Sequence, residues 1–182
     1  YGYGLLLRDR ADHYLLGFYG DLAMHRVRGT FTAYEQSAIR GPAGRSYLAD
    51  YCVPAQLVTP LLAKWMLVFE ERDADVLWLC RAVPRRWLGP DGGVSVRRAA
   101  TRWGPVDFTV SPGDDGSVSA QVELPRADFP AEIRLRLRAT DAPPIRHVVL
   151  NGRPHGDVDA QGEYVRVVRP SERTLKLEVH YR

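Results

Sequence analysis

The densest run of chemistry-bearing residues in this chain is His25-Arg26-Val27-Arg28-Gly29-Thr30-Phe31-Thr32-Ala33-Tyr34-Glu35-Gln36. Glu35 follows Tyr34, and the run starts with the basic groups His25, Arg26 and Arg28. A carboxyl group in that setting can transfer a proton as a general acid or base, or it can grip two neighbouring sugar hydroxyls. Hydrolysis of a glycosidic bond uses paired carboxylates: one protonates the leaving oxygen while the other attacks or activates water. Asp21, Glu35 and Asp50 are the acids available in this part of the chain. The competing reading of Glu35 is a solvated or capping residue in a polar loop. His25, Arg28, Thr30 and Tyr34 are the candidate substrate-binding partners, and Glu35 is the candidate catalytic group.

Other chemistries find little support. Ser37 and Ser46 do not sit in a GxSxG elbow. Tyr1-Gly2-Tyr3-Gly4 follows no strand and lacks the lysine of a phosphate-binding loop. Cys52 and Cys80 have no metal-ligand spacing, so no metal and no cofactor is expected; two buried free thiols are the expected outcome, and the redox compartment stays open. His147, His155 and His180 are widely spaced and read as surface or turn residues. The net charge of +3 comes mainly from arginines scattered among acids, with Lys64 and Lys176 the only lysines. There is no basic, aromatic-interleaved stretch, so no nucleic-acid partner is expected. No apolar run approaches bilayer length either, so no membrane partner is expected.

The elements that must hold these residues change character near residue 75. Before it, apolar residues recur at helical spacing; after it they alternate between Gly, Pro and Asp-Gly turns. The pattern predicts a helix over 9–26, capped by Asp9, with Leu15, Leu16, Tyr19, Leu22 and Ala23 as its apolar stripe. Gly17 and Gly20 lie inside it and suggest close helix packing or room for a ligand. Residues 27–51 form a long polar connection of the sort that carries function. A second helix spans 54–72, with Trp65 and Phe69 on its buried face and Pro60 as a kink or a first turn after a Thr59 cap. From Val76 onward about eight strands follow, including hairpins at Asp114-Asp115-Gly116 and Asn151-Gly152, an antiparallel sandwich pattern. Trp78, Trp87 and Trp103 read either as domain-interface packing or as a sugar-stacking platform. The division is thus 1–74, helical, and 75–182, β-sandwich.

Taken together, Phe18-Tyr19-Gly20, Arg28-Gly29-Thr30-Phe31 with Glu35, Arg85-Arg86-Trp87-Leu88, Arg102-Trp103-Gly104-Pro105-Val106, Glu123-Leu124-Pro125, Leu135-Arg136-Leu137-Arg138 and Val148-Val149-Leu150-Asn151-Gly152 resemble the C-terminal part of bacterial six-hairpin glycosidases. Those enzymes join an (α/α)6 toroid to a β-sandwich, as α-L-rhamnosidase-like enzymes do. The resemblance implies an α+β multidomain fragment, the last helices of a toroid followed by the sandwich. It implies a carbohydrate substrate, with Glu35 in an inter-helix loop at the sugar-binding end and the second carboxylate upstream. The chain opens on Tyr1, and its first methionine is Met24. The expectation is therefore a C-terminal piece whose partner is the upstream helical part of the same protein, in a periplasmic or secreted bacterial setting. The alternative is a non-catalytic carbohydrate-binding or structural accessory module.

Overall fold

The computed structural model describes residues 1–35, 52–126, 128–141 and 143–181. They divide into two compact units, Tyr1–Met66 and Leu67–Arg182. The architecture is α+β, with few helices and two largely antiparallel sheets.

The first unit holds helices α1 (Gly2–Leu7), α2 (Ala11–Met24) and α3 (Val53–Leu67). Helix α1 was not foreseen, and it changes the role of Asp9. Arg10 N–H bonds to Leu5 O at 2.8 Å and Asp9 N–H to Leu6 O at 3.1 Å, while Asp9 takes the left-handed conformation at φ 55°. This is a Schellman closure, and a short polar Asp tolerates the backbone it requires. Asp9 therefore ends α1; Arg10, with no side-chain cap, begins α2.

With α1 packed on α2, the buried face of α2 is Ala11, Tyr14 and Phe18. The expected stripe sits partly in solvent, with Leu16 74% and Tyr19 44% exposed. Among the described residues a Cβ at Gly17 or Gly20 would meet nothing within 4 Å, so neither marks a tight contact between these helices. Close approach occurs at Gly2, where a Cβ would stand 2.9 Å from Leu62 Cδ2 and 3.2 Å from the Tyr14 ring. Tyr14 Oη donates to Leu62 O at 2.5 Å, tying α2 to α3.

Pro60 is interior to α3, neither its first turn nor preceded by a cap. Its missing N–H leaves the carbonyl of Gln56, four residues earlier, without the usual helix donor. The guanidinium of Arg26 supplies one, Nη1 to Gln56 O at 3.4 Å.

Helix α3 stops at Leu67, not near Arg72, because Val68–Glu70 becomes strand β1, paired antiparallel with β2 (Val76–Leu79). Phe69 is fully buried in that strand, whereas Trp65 is only half-buried and meets the Tyr3 ring edge-on at 5.4 Å. The remaining strands are β3 (Val94–Thr101), β4 (Gly104–Pro112), β5 (Val118–Glu123), β6 (Glu132–Arg136), β7 (His147–Leu150), β8 (Arg153–Pro154), β9 (Val158–Asp159), β10 (Tyr164–Val168) and β11 (Thr174–His180). One sheet runs β1-β2-β6-β10-β9 and the other β3-β4-β5-β11-β7-β8.

Pairing is antiparallel except between β2 and β6, which run parallel, so the first sheet is mixed. Parallel strands are commonly covered on both faces and read as continuous apolar runs. All four residues of β2 are buried accordingly. Across the second sheet the cross-strand rows Phe108–Val122–Leu175 and Val118–Val179–Val148 place buried side chains in register.

Trp78 is no sugar platform. It is 2% exposed, with Arg81 over its ring at 3.6 Å, Tyr164 edge-on at 4.8 Å and Nε1 donating to Glu71 Oε1 at 2.6 Å. Trp87 and Trp103 are half-buried.

Candidate functional site

The final turn of α2 brings Asp21 and His25 onto one side at i, i+4 spacing. Arg26 then leaves the helix and pairs as an isolated bridge with Ala33. Between them the chain makes a tight turn: Phe31 N–H bonds to Val27 O and Val27 N–H to Thr32 O, each at 2.9 Å. Gly29 sits at φ 92°, where a glycine meets no Cβ penalty. The turn delivers Tyr34 and Glu35 alongside the start of α3. Cys52 joins that helix to the returning segment. Its N–H bonds to Ala33 O at 3.4 Å, its carbonyl accepts from Gln56 N–H at 3.1 Å, and its thiol accepts the Ala55 N–H at 3.4 Å. Cys52 therefore serves as the N-cap of α3.

A cleft of about 760 Å³ opens among these elements, with Asp21, His25, Arg26, Tyr34, Glu35 and Cys52 on its walls. Ionic groups organise one wall. Asp21 Oδ2 accepts from Thr59 Oγ1 at 2.8 Å and from Arg26 Nη2 at 3.1 Å and Nε at 3.3 Å; Oδ1 lies 3.2 Å from His25 Nδ1. Burial alone would raise the Asp21 pKa, but the hydrogen bonds from Thr59, Arg26 and His25 and the Arg26 charge outweigh it. The carboxyl is held below the ordinary aspartate range. An acid so held is ionised at neutral pH and has its oxygens occupied. It orients His25 and Arg26 and is not free to deliver a proton.

Glu35 differs. It is exposed, and its carboxylate makes no hydrogen bond or ion pair among the described residues. Of the five residues singled out in the sequence, Glu35, Tyr34 and His25 line the cleft. Arg28 and Thr30 do not; both are exposed on the turn, where Thr30 Oγ1 pairs with Thr32 Oγ1 at 2.9 Å. Gln36, Asp50 and the serines Ser37 and Ser46 lie outside the described residues.

Sequence reasoning missed the Asp21–Arg26–Thr59 cluster. Asp21 and His25 carry a legible i, i+4 signal, but the link to Thr59 bridges two helices separated by the polar connection. No group of His, Cys, Asp and Glu suited to a metal ion occurs among the described residues.

No family model matches the chain, and no curated protein matches it. Among solved structures it is similar to a glycoside hydrolase at 15% identity and TM-score 0.42, over 70% of this chain and 19% of that one. It is also similar to a GH127 β-arabinofuranosidase at 13% identity and TM-score 0.41, over 72% of this chain and 21% of that one. The chain spans about a fifth of the length of these proteins. At that degree of likeness the functional reading rests on the cleft itself.

Proposed function

We propose that this chain is part of a glycoside hydrolase and that the cleft beside α2 and α3 is a carbohydrate subsite, with Glu35 as its working carboxylate. One observation carries the reading: two carboxylates share a cleft, and among the described residues Glu35 has no hydrogen-bond or ion-pair partner, while Asp21 is committed to Arg26, His25 and Thr59. Glu35 serves as general acid or base, or as a grip on sugar hydroxyls, with Tyr34 and His25 beside it. Arg28 and Thr30, on the exposed turn, are within the reach of a longer glycan. In this reading α2 and α3 belong to the last helices of an α/α toroid. The uncovered Leu16, Leu57 and Leu61 then pack on further helices of the same protein, which also supplies the second carboxylate. A non-catalytic carbohydrate-binding role is the second reading, favoured by the exposure of Glu35, because a proton donor gains its raised pKa from burial.

Glu35→Gln in the full-length protein, assayed on aryl glycosides and an oligosaccharide panel, separates these. The substitution keeps shape and removes the titrating group. Loss of kcat by about 100-fold or more supports acid/base work. A raised KM at constant kcat supports binding alone. Unchanged kinetics on a turned-over glycoside would remove Glu35 from the site.

A further inference from the structure

A second cleft, of about 540 Å³, lies wholly in the β unit. Its walls come from the β7–β8 turn, the end of β10 and the loop into β11, so strands of both sheets contribute to it. Three basic side chains line it: Arg153, His155 and Arg169. Neither guanidinium has a hydrogen bond or ion pair among the described residues. One carboxylate, that of Glu172, shares the wall, and it is engaged, accepting from Asn151 Nδ2 at 3.0 Å.

The frame holding these groups is rigid. Asn151 sits at φ 48° and Gly152 at φ 77°, the two left-handed residues of a type I′ hairpin turn. The Asn151 side chain also accepts Lys176 N–H at 2.7 Å and donates to Thr174 O at 3.1 Å, fastening the turn to β11. His155 is fixed through its backbone N–H to Val148 O at 2.9 Å and through Nε2 to Arg166 O at 2.8 Å. With Nε2 so placed as the donor, Nδ1 is left for another partner. Arg169 takes φ 49° with its N–H on Ala131 O at 2.7 Å. For an arginine that left-handed conformation is unfavourable, and the bond to Ala131 helps to hold it. Pro154 and the half-exposed Val168 add a short apolar strip.

We propose that this cleft binds an anionic saccharide-sized ligand, its carboxylate or sulfate groups held between Arg153 and Arg169. The reasoning is electrostatic and geometric. Guanidinium groups pair with planar or tetrahedral oxyanions through two parallel N–H donors. The cleft's single acid is already held by an amide, and the volume falls in the usual range for small-ligand sites, about 300–1,000 Å³. Among its lining residues there is no Phe, Tyr or Trp, so recognition comes from charge and hydrogen bonding and not from a broad platform for stacking a neutral sugar face. The site lies in the other unit from Glu35; the anion preference rests on this cleft alone, while the choice of a saccharide as the anion's carrier rests on the glycoside-hydrolase reading.

The test titrates three probes into the full chain at low ionic strength: trigalacturonate, a sulfated chondroitin disaccharide and neutral maltotriose. Amide shifts are followed by NMR in the wild type. At least one anionic probe is expected to bind, shifting amides at 151–155 and 167–172, while maltotriose does not; which anion binds tells carboxylate from sulfate. Arg153→Ala/Arg169→Ala is expected to weaken binding at least tenfold, and Arg97→Ala, an exposed arginine on β3, to leave it unchanged. Absence of binding by both anions, shifts confined to other regions, equal binding of maltotriose, or a double variant that folds and binds as the wild type does would each overturn the proposal.

Discussion

Asp21 concentrates four donors on one carboxylate, and one of the donating side chains, Arg26, is almost completely buried. Removing an acid from such a pair leaves a guanidinium without its counter-charge, and that loss outweighs the small gain in desolvation. Asp21→Asn is therefore expected to destabilise the protein by about 3 kcal/mol, the low end for a broken buried pair because Asp21 keeps some solvent access. Urea unfolding with an unchanged midpoint would contradict this. The pH dependence has a definite sign. A carboxyl whose folded pKa is lowered contributes its full stabilisation above the unfolded value, ordinarily 3.8, and loses it as pH falls through the folded one. The stability gap between wild type and Asp21→Asn is thus expected to be flat near neutrality and to close on acidification below about pH 4. A gap that persists unchanged to pH 2 would assign the effect to packing instead. The same bonding explains why Glu35, and not Asp21, is the group to replace when activity is tested.

Helix α3 tolerates Pro60 because Arg26 reaches across to the carbonyl that proline leaves unserved. An interior proline costs roughly 3 kcal/mol relative to alanine when nothing compensates. Here part of that cost is already offset, so Pro60→Ala is expected to stabilise by roughly 1–2 kcal/mol. A gain of the full ~3 kcal/mol would mean that the long 3.4 Å bond from Arg26 contributes nothing. The elements also show what a sequence can reveal. Strands β4, β5, β6, β10 and β11 and the Asn151-Gly152 hairpin were legible, because one buried and one wet face write a period of two into the residues. Strand β1 was not. Val68-Phe69-Glu70 continues the apolar face of the preceding helix, and three residues are too few to tell the two periods apart. The parallel pairing of β2 with β6 was equally hidden, since Leu77 meets Ile133 only after the intervening chain has folded back. Helix α1 escaped because two glycines in six residues argue against a helix, and packing on α2 overrides that propensity. At the site, the local residues His25, Tyr34 and Glu35 were readable from the chain, whereas Thr59, brought to Asp21 from another helix, was not.

At the scale of the whole molecule, the two compact units differ in how their contacts form. In the helical unit α1 packs on its sequence neighbour α2, and Tyr14 and Asp21 reach across to Leu62 and Thr59 of α3. The β unit depends on distant partners, β2 with β6 and β4–β5 with β11. Non-local pairing of this sort slows folding, since long loops must close before any contact forms. Each unit also contains one cysteine. Cys52, half-buried, caps α3; Cys80, fully enclosed after β2, has its thiol pushed up to about 12 by burial. The chain thereby carries two built-in clocks, one per unit, that need no label or tag. A thiol reagent added to native protein is expected to release the equivalent of one cysteine promptly, from Cys52, and the second only as the β unit opens. Mass spectrometry of the modified peptides tells the two apart, and prompt modification of both would contradict the enclosure of Cys80. Repeated across a denaturant series, the slow phase becomes a direct reading of how often the β unit exposes its interior.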